Sequence, residues 1–518
     1  MATSATIESL LLLAIPVMFF IASWANERKA NWNLAMTVSL TALGISAATG
    51  ILSILGEVEF GAGLSWATHA PMSIIMLCLI SFIAFINIRF SRYYMAGNSE
   101  EERRYLRWLL ITLSCVTLVV VSNHMIVFTL AWAAISASLH QLLTFYPERQ
   151  RAQLAAYKKY IFARIAEGFL ALAVLLLYLE HDTWLISEVV TAMAQKDTLS
   201  GMEEFAAVFL AISALIKCAQ LPLHGWLIQV VEAPTPVSAL LHAGIINLGG
   251  FLMIIFAPLI MLSGYAQWLL LIIGGLTTVL AALVMMTRAT VKVRLAWSTM
   301  SQMGLMLVEC ALGLFELALL HLIAHSCYKA YAFLNSGSEV ETRMKKRLAK
   351  RAPPERLDWW VAAIISGSIV TALVVAVAMP APYSPWILLA VALTLLIAER
   401  RSRDAKASLA SMVWLAVIVL VAYTLQKSGA GVLMPRQENS VGLLGDLWMG
   451  ILFIAFFFGY ILLRYHKQHP RVIPIWRAFY AGFYLDEYIT RLSLRIYPKR
   501  LPMRYKPKKL KIPKEELL

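Results

Sequence analysis

Lys217 stands in the run Ala211-Ile212-Ser213-Ala214-Leu215-Ile216-Lys217-Cys218-Ala219-Gln220-Leu221-Pro222, near the middle of a long apolar segment. A cation at mid-bilayer costs roughly 2.5–3.5 kcal/mol on insertion scales, so such a residue is normally held for function. Pro222 lacks an N–H and interrupts the backbone ladder, freeing a carbonyl near Cys218. A broken helix at membrane depth is tolerated where it lines a polar cavity, and a lysine there can gain and lose a proton. The alternative is a snorkelling lysine paired with an acid for structure, against which depth and the adjacent break both speak. His321, His325 and Lys329 recur at i, i+4 and i+8, so they share one helix face about one turn apart. Groups stacked in this way can pass protons through intervening waters, since histidine titrates near neutral pH. The same His-x-x-x-His spacing suits a zinc pair, but the accompanying Glu and a nearby thiolate pair are missing, so no metal site is expected. His242, in Leu240-Leu241-His242-Ala243-Gly244, either joins this line or is a hydrogen-bonded structural histidine.

Arg164 and Glu167, at i and i+3, can pair on one helix face. They are either an ion pair easing a charged helix end into the membrane or a switchable partner for Lys217. Lys292, beside Arg288 and Arg294, is a further candidate for the proton path or simply a topology charge. Thr235 and Pro236 read as N-cap and first residue of the next helix, a structural role.

The elements that position these groups are helices in a membrane. The chain has 518 residues, 60% hydrophobic and 14% charged, with a mean hydropathy of +0.71, whereas soluble domains carry roughly 25% charged residues. Fifteen apolar segments can be drawn, at 7–24, 34–56, 71–90, 106–121, 123–146, 159–180, 203–232, 236–261, 266–287, 294–313, 316–338, 358–379, 385–399, 407–426 and 443–464. They predict an all-α polytopic membrane protein of about fifteen transmembrane helices, with a helix break at Pro222. The net charge of +15 follows from topology, since the sequence shows no aromatic–basic platform of the RNA-binding kind. Arg28, Arg89, Arg103, Lys158, Arg288, the 343–356 cluster and Arg400–Lys406 fall in alternate loops; the opposite set holds little beyond Lys196, Lys427 and Arg436. The positive-inside rule then puts the N-terminus outside and the C-terminus in the cytoplasm of a bacterial inner membrane.

Five cysteines lie unpaired in apolar segments and read as buried small hydrophobes. No basic n-region or cleavage site marks the first segment as a signal peptide, so it is expected to stay. Gly249-Gly250 and Gly274-Gly275 read as close-packing points between helices, because no nucleotide-binding glycine pattern is present. Trp184–Thr198 is too polar to span and is expected along the outer surface. The tail from Arg471 opens with an amphipathic stretch in which Trp476, Tyr484, Asp486 and Glu487 are candidates for docking a partner, and continues as a basic arm from Pro498 to Pro513. The alternative for that tail is a disordered basic terminus held by anionic lipid.

The runs Lys217-Cys218-Ala219-Gln220-Leu221-Pro222-Leu223-His224-Gly225-Trp226 and Glu232-Ala233-Pro234-Thr235-Pro236-Val237-Ser238-Ala239-Leu240-Leu241-His242-Ala243 resemble the antiporter-like subunits of NADH:quinone oxidoreductase and of Mrp antiporters. Ala296-Trp297-Ser298-Thr299-Met300-Ser301-Gln302-Met303-Gly304 and the His321/His325/Lys329 helix match that family too, so the resemblance is specific between about 120 and 340. It implies two inverted five-helix repeats, each with a broken helix. The chain then divides into N-terminal helices (1–105), first repeat (106–261), second repeat (262–400), C-terminal helices (401–470) and a cytoplasmic segment (471–518).

The departures from that family narrow the reading. Trp132 is followed by Ala133 where the family carries a glutamate, leaving Glu167 as the substitute partner of Lys217. The segment from Trp359 to Met379 lacks the lysine that the resemblance implies for the second repeat. After Phe483-Tyr484-Leu485-Asp486-Glu487-Tyr488, the long lateral helix of the largest relatives gives way to the basic arm. Such a shortened chain resembles the membrane subunits of two-component inorganic carbon accumulation systems. That resemblance implies proton conduction without covalent catalysis, no cofactor in this chain, and a cytoplasmic zinc partner related to β-carbonic anhydrases that hydrates CO2 to bicarbonate. The alternatives are a proton-pumping subunit of a respiratory dehydrogenase or hydrogenase, an Mrp-like Na+/H+ antiporter, and an inert membrane anchor.

Overall fold

The computed structural model describes residues 2–27, 29–55, 65–68, 70–339, 344, 353–377, 381–400, 408–433 and 440–496. The basic arm, most of the 343–351 cluster, Arg401–Lys406 and Arg436 lie outside these residues. Each of the apolar segments overlaps a helix among the described residues. The first half is α1 (Ala2–Ala25), α2 (Trp32–Ile54), α3 (Pro71–Tyr94), α4 (Ser99–Val121), α5 (Met125–Leu143), α6 (Gln150–His181), α7 (Ile186–Ala194), α8 (Gly201–Lys217), α9 (Gly225–Gln229) and α10 (Thr235–Ala243). Next come α11 (Leu248–Ile255), α12 (Ala257–Leu262), α13 (Gly264–Thr287), α14 (Val291–Ala311), α15 (Phe315–Leu334) and α16 (Arg356–Ala376). The chain closes with α17 (Ser384–Ala398), α18 (Leu409–Leu433), α19 (Gly442–Tyr465), α20 (Ile473–Ala481) and α21 (Leu485–Ile496). Eleven described helical segments are long and apolar enough to cross a membrane, and two shorter apolar helices, Ser9–Ala25 and Ser384–Ala398, join them. Of the fifteen, that leaves α8, only 17 residues long, and α14, which carries Lys292, Gln302 and Glu309.

Contacts between loops show that consecutive segments cross the bundle in opposite directions. At one end, Arg107 pairs with Glu27 at 3.3 Å, Arg104 donates to Phe145 O, Arg149 donates to Glu232 O, and Arg294 lies 4.0 Å from Glu339. At the other, Asn123 donates to Ser65 O and Ser187 Oγ, and Ser263 Oγ donates to Glu204. Among the described residues, the basic positions Arg104, Arg107, Arg149 and Arg294 therefore gather at one end. The polar stretch at 184–198 is the short helix α7, which turns Val189 and Met193 inward at the opposite end.

The window of Thr235–Ile255 is 89% buried inside the bundle, against 11% for Leu409–Gly431, so the segment bearing His242 is central and α18 peripheral. The glycine pairs pack as expected. A Cβ at Gly249 would meet Cys218 Sγ at 2.5 Å, and one at Gly250 would meet Met306 Cε at 2.2 Å. The tightest backbone approach joins α13 to α14, where a Cβ at Gly304 would lie 2.6 Å from Gly274 O and 2.9 Å from Gln220 Oε1. Gly304→Ala is therefore expected to destabilise the protein by about 1–3 kcal/mol, read as a lowered melting temperature of the detergent-purified chain. An unchanged melting temperature would show that the helices can separate freely at this point.

Three expectations need correction. The segment drawn at 236–261 is itself broken: α10 ends at Ala243, Gly244 departs from helical geometry, and a 3-10 turn leads into α11. In the opposite sense, α16 runs unbroken where the resemblance implies the second repeat's broken helix. Thr235 is not an N-cap; Pro234 holds that position, and the Thr235 hydroxyl accepts from Lys292 Nζ at 2.8 Å.

Candidate ion path

α8 stops at Lys217, and the chain crosses to α9 at Gly225 without helical hydrogen bonds, as Pro222 foretold. The freed groups find partners within the break and on neighbouring helices, which is what holds such a break open. Leu221 N donates to Thr277 Oγ1, the Gln220 amide to Cys218 O and Met300 O, and Cys218 Sγ to Ile246 O. The Lys217 ammonium sits over the Trp132 ring, 4.5 Å from its centroid. The residue that follows Trp132 is Ala133, so the face of the indole stands where a carboxylate partner was expected; a cation can rest there at a modest gain.

Lys217 shares a small cavity of about 20 Å³, room for roughly one water, with Trp132, Ser136, Trp226 and Lys159. Lys159 was hidden in the sequence by its place at a charged helix end, yet it is buried and donates to Ser136 O at 2.7 Å. Its neighbour Lys158, read as a loop charge, lies within α6 and is buried as well, paired with Asp486. Glu167 pairs directly with Arg164 at 2.7 Å. The signal for Lys159 was present: it stands eight residues before Glu167, on the same helix face.

The second cluster is the ladder on α15. His321 Nδ1 lies 3.0 Å from Glu309 Oε2 and Nε2 lies 2.7 Å from Gln302 Oε1, so both ring nitrogens face oxygen acceptors. His321, Glu309 and Gln302 line a cavity of about 370 Å³ between α14, α15, α17, α18 and α19. One turn on, the His325 ring is 6.3 Å from that of His321, and among the described residues neither of its nitrogens has a hydrogen-bond partner. Lys329, fully buried, donates to Ser298 Oγ at 2.7 Å and Leu295 O at 3.2 Å. His242 closes the line, with Nδ1 3.0 Å from Thr299 Oγ1, its ring stacked on Phe333, and Nε2 unpartnered. Gln302 and Glu309, two helix turns apart, were legible as one face but were not singled out.

The two clusters occupy opposite faces of one segment. Leu241, Ile245 and Ile246 line the Lys217 cavity, while His242 turns toward α14 and α15. Among the described residues, no hydrogen bond joins Lys217 or Lys159 to the α15 ladder. Lys292 stands apart at the basic end with Thr235. Of the docking candidates, Trp476 stacks on Tyr480 and Tyr484 is exposed. Asp486 is turned inward onto Lys158, 2.6 Å from its ammonium.

A helical bundle with a Lys-bearing broken helix and a His/Lys ladder defines an antiporter-like membrane subunit. The chain belongs to the family described as NADH:quinone oxidoreductase/Mrp antiporter, transmembrane, which matches residues 122–382. It is 62% identical, over 98% of both chains, to a probable inorganic carbon transporter subunit DabB of Hydrogenovibrio crunogenus. It is 32% identical, over 95% of both, to DabB2 of Halothiobacillus neapolitanus. NADH-quinone oxidoreductase subunit L of Escherichia coli is 32% identical over 52% of this chain and 44% of that protein. In fold, the chain resembles a Mrp complex from Dietzia sp. (TM-score 0.54, 18% identity, 94% of this chain and 55% of that one). It also resembles a chain of an archaeal membrane-bound sulfane sulfur reductase (TM-score 0.54, 15% identity, 94% and 99%).

Proposed function

We propose that this chain is the proton-conducting membrane subunit of a two-component inorganic carbon accumulation complex, working with a cytoplasmic zinc protein that hydrates CO2 to bicarbonate. The observation that carries this reading is the 62% identity to a DabB subunit across nearly the whole of both chains. Conduction is supported by the α15 ladder, whose acidic and imidazole groups open on a cavity at the end of the bundle opposite the basic loops. By the positive-inside rule that end faces outward, the N-terminus lies outside and the C-terminus inside. A proton taken up at Glu309 and His321 passes by His325 to Lys329, with His242 beside it. Lys217, Lys159, Glu167 and Arg164 form a second charged centre across α10, and Lys292 marks the cytoplasmic side. The proton drives a change in the partner that makes hydration one-way.

A second reading, a proton-pumping or Na+/H+-exchanging subunit of a larger complex, draws on the 32% identity to NADH-quinone oxidoreductase subunit L over half of this chain. Purifying the native complex separates the two: zinc without flavin or iron is expected, whereas flavin or iron–sulfur protein would overturn the carbon-accumulation reading. Proton flux into proteoliposomes carrying the complex is also expected, and an inert membrane anchor would carry none.

A further inference from the structure

The C-terminal segment does not hang free below the bundle. After α20, residues Gly482, Phe483 and Tyr484 take left-handed backbone angles (φ 62°, 56° and 56°), and this turn swings α21 under the helix break. A Cβ at Gly482 would lie 3.2 Å from Arg288 Nη2, and the Arg288 guanidinium rests between the rings of Trp297 and Tyr480. The first turn of α21 then places Asp486 between two elements that flank the break. Its Oδ1 accepts from Lys158 Nζ of α6 at 2.6 Å, and its Oδ2 accepts from Gln229 Nε2 of α9 at 2.8 Å. Thr490, one turn on, takes a second proton of the same ammonium at 2.9 Å.

The fit leaves no slack. The Lys158 side chain is 0% exposed, and a Cβ at Gly225, the first residue of α9, would fall 1.4 Å from Asp486 Oδ1. Lys158 is therefore a buried charge whose counter-charge comes from 328 residues away, and the next residue along α6 lies in the Lys217 cavity. A contact needed only to anchor a tail would not require a lysine withdrawn from water, where exposed pairs contribute little.

We propose that Asp486 is a positioning residue: through Lys158 and Gln229 it sets how α9 and the lower half of the break stand against α6, and so sets the rate of ion passage at the Lys217 centre. This rests on the reading that the chain conducts ions for a cytoplasmic partner. It makes α21 the part of this chain through which events on the cytoplasmic side reach the break.

The test uses the assembled complex in proteoliposomes. Asp486→Asn alone would leave Lys158 buried and unpaired, and so could simply unfold the protein. The informative variant is Lys158→Met/Asp486→Asn, which removes both charges together. It is expected to assemble with its partner and to melt as the wild type does, yet to carry protons about 10- to 100-fold more slowly or faster, the scale of a misplacement distant from the chemistry. The charge-exchanged Lys158→Asp/Asp486→Lys variant is expected to return toward the wild-type rate. Wild-type flux from the doubly neutral variant would overturn the positioning role while leaving conduction intact. A wild-type complex that carries no ion at all would overturn both, so the two failures are distinguishable.

Discussion

Lys329→Ala and Lys329→Arg are both expected to lower bicarbonate accumulation at least about 100-fold, the scale of removing a positioned proton donor or acceptor, while the complex still assembles. The reason lies in how the ammonium is held. It is fully buried and bonded to two neutral oxygens, Ser298 Oγ and Leu295 O. Among the described residues, no carboxylate lies within 4.0 Å of it. An ammonium has three protons to give, so one is left over in a cluster that also holds the unpartnered ring nitrogens of His325 and His242. Alanine removes the group. Arginine keeps the positive charge but cannot release a proton, which separates a relay from a structural cation. Labelled bicarbonate uptake, with partner co-purification as the control, reads the result. If Lys329→Arg accumulated bicarbonate at the wild-type rate, Lys329 would be a fixed charge and the relay would fail at its inner end.

The sequence made the helices legible because membrane spans announce themselves by length and apolarity. It also made the break at Pro222 legible, since proline removes a donor whatever surrounds it. The break after Ala243 was hidden because its cause is tertiary: Gly244 and the 3-10 turn are held by packing around Asn247, which donates to Ser326 of α15. Lys158 was misread, and Lys159 passed over, for a related reason. Charges at a helix end are normally solvated, and only the docking of α21 covers Lys158. Glu309 could have been found by asking which residues share a face with Gln302, but its role shows only once α15 brings His321 within 3.0 Å. Ala133 after Trp132 and the uncharged stretch after Trp359 are visible in the sequence alone. What they mean for conduction is set by the geometry of Lys217 over Trp132.

The accumulation ratio should also follow the membrane potential. One charge crossing with the field contributes about 2.3 kcal/mol per 100 mV, or roughly 50-fold in a ratio at equilibrium. Vesicles containing the complex, clamped with a potassium gradient and ionophore, are expected to lose accumulation by that factor as 100 mV is withdrawn. Glu309→Gln is expected to slow the approach to the plateau without moving it. The side chain stands where the about 370 Å³ cavity meets His321, and removing an entry group raises a barrier without changing the free energy between the two sides. A plateau indifferent to potential would mean that no net charge crosses with the reaction. The buried lysines and histidines would then have to be structural, because a ladder of titratable groups conducts only if charge moves along it.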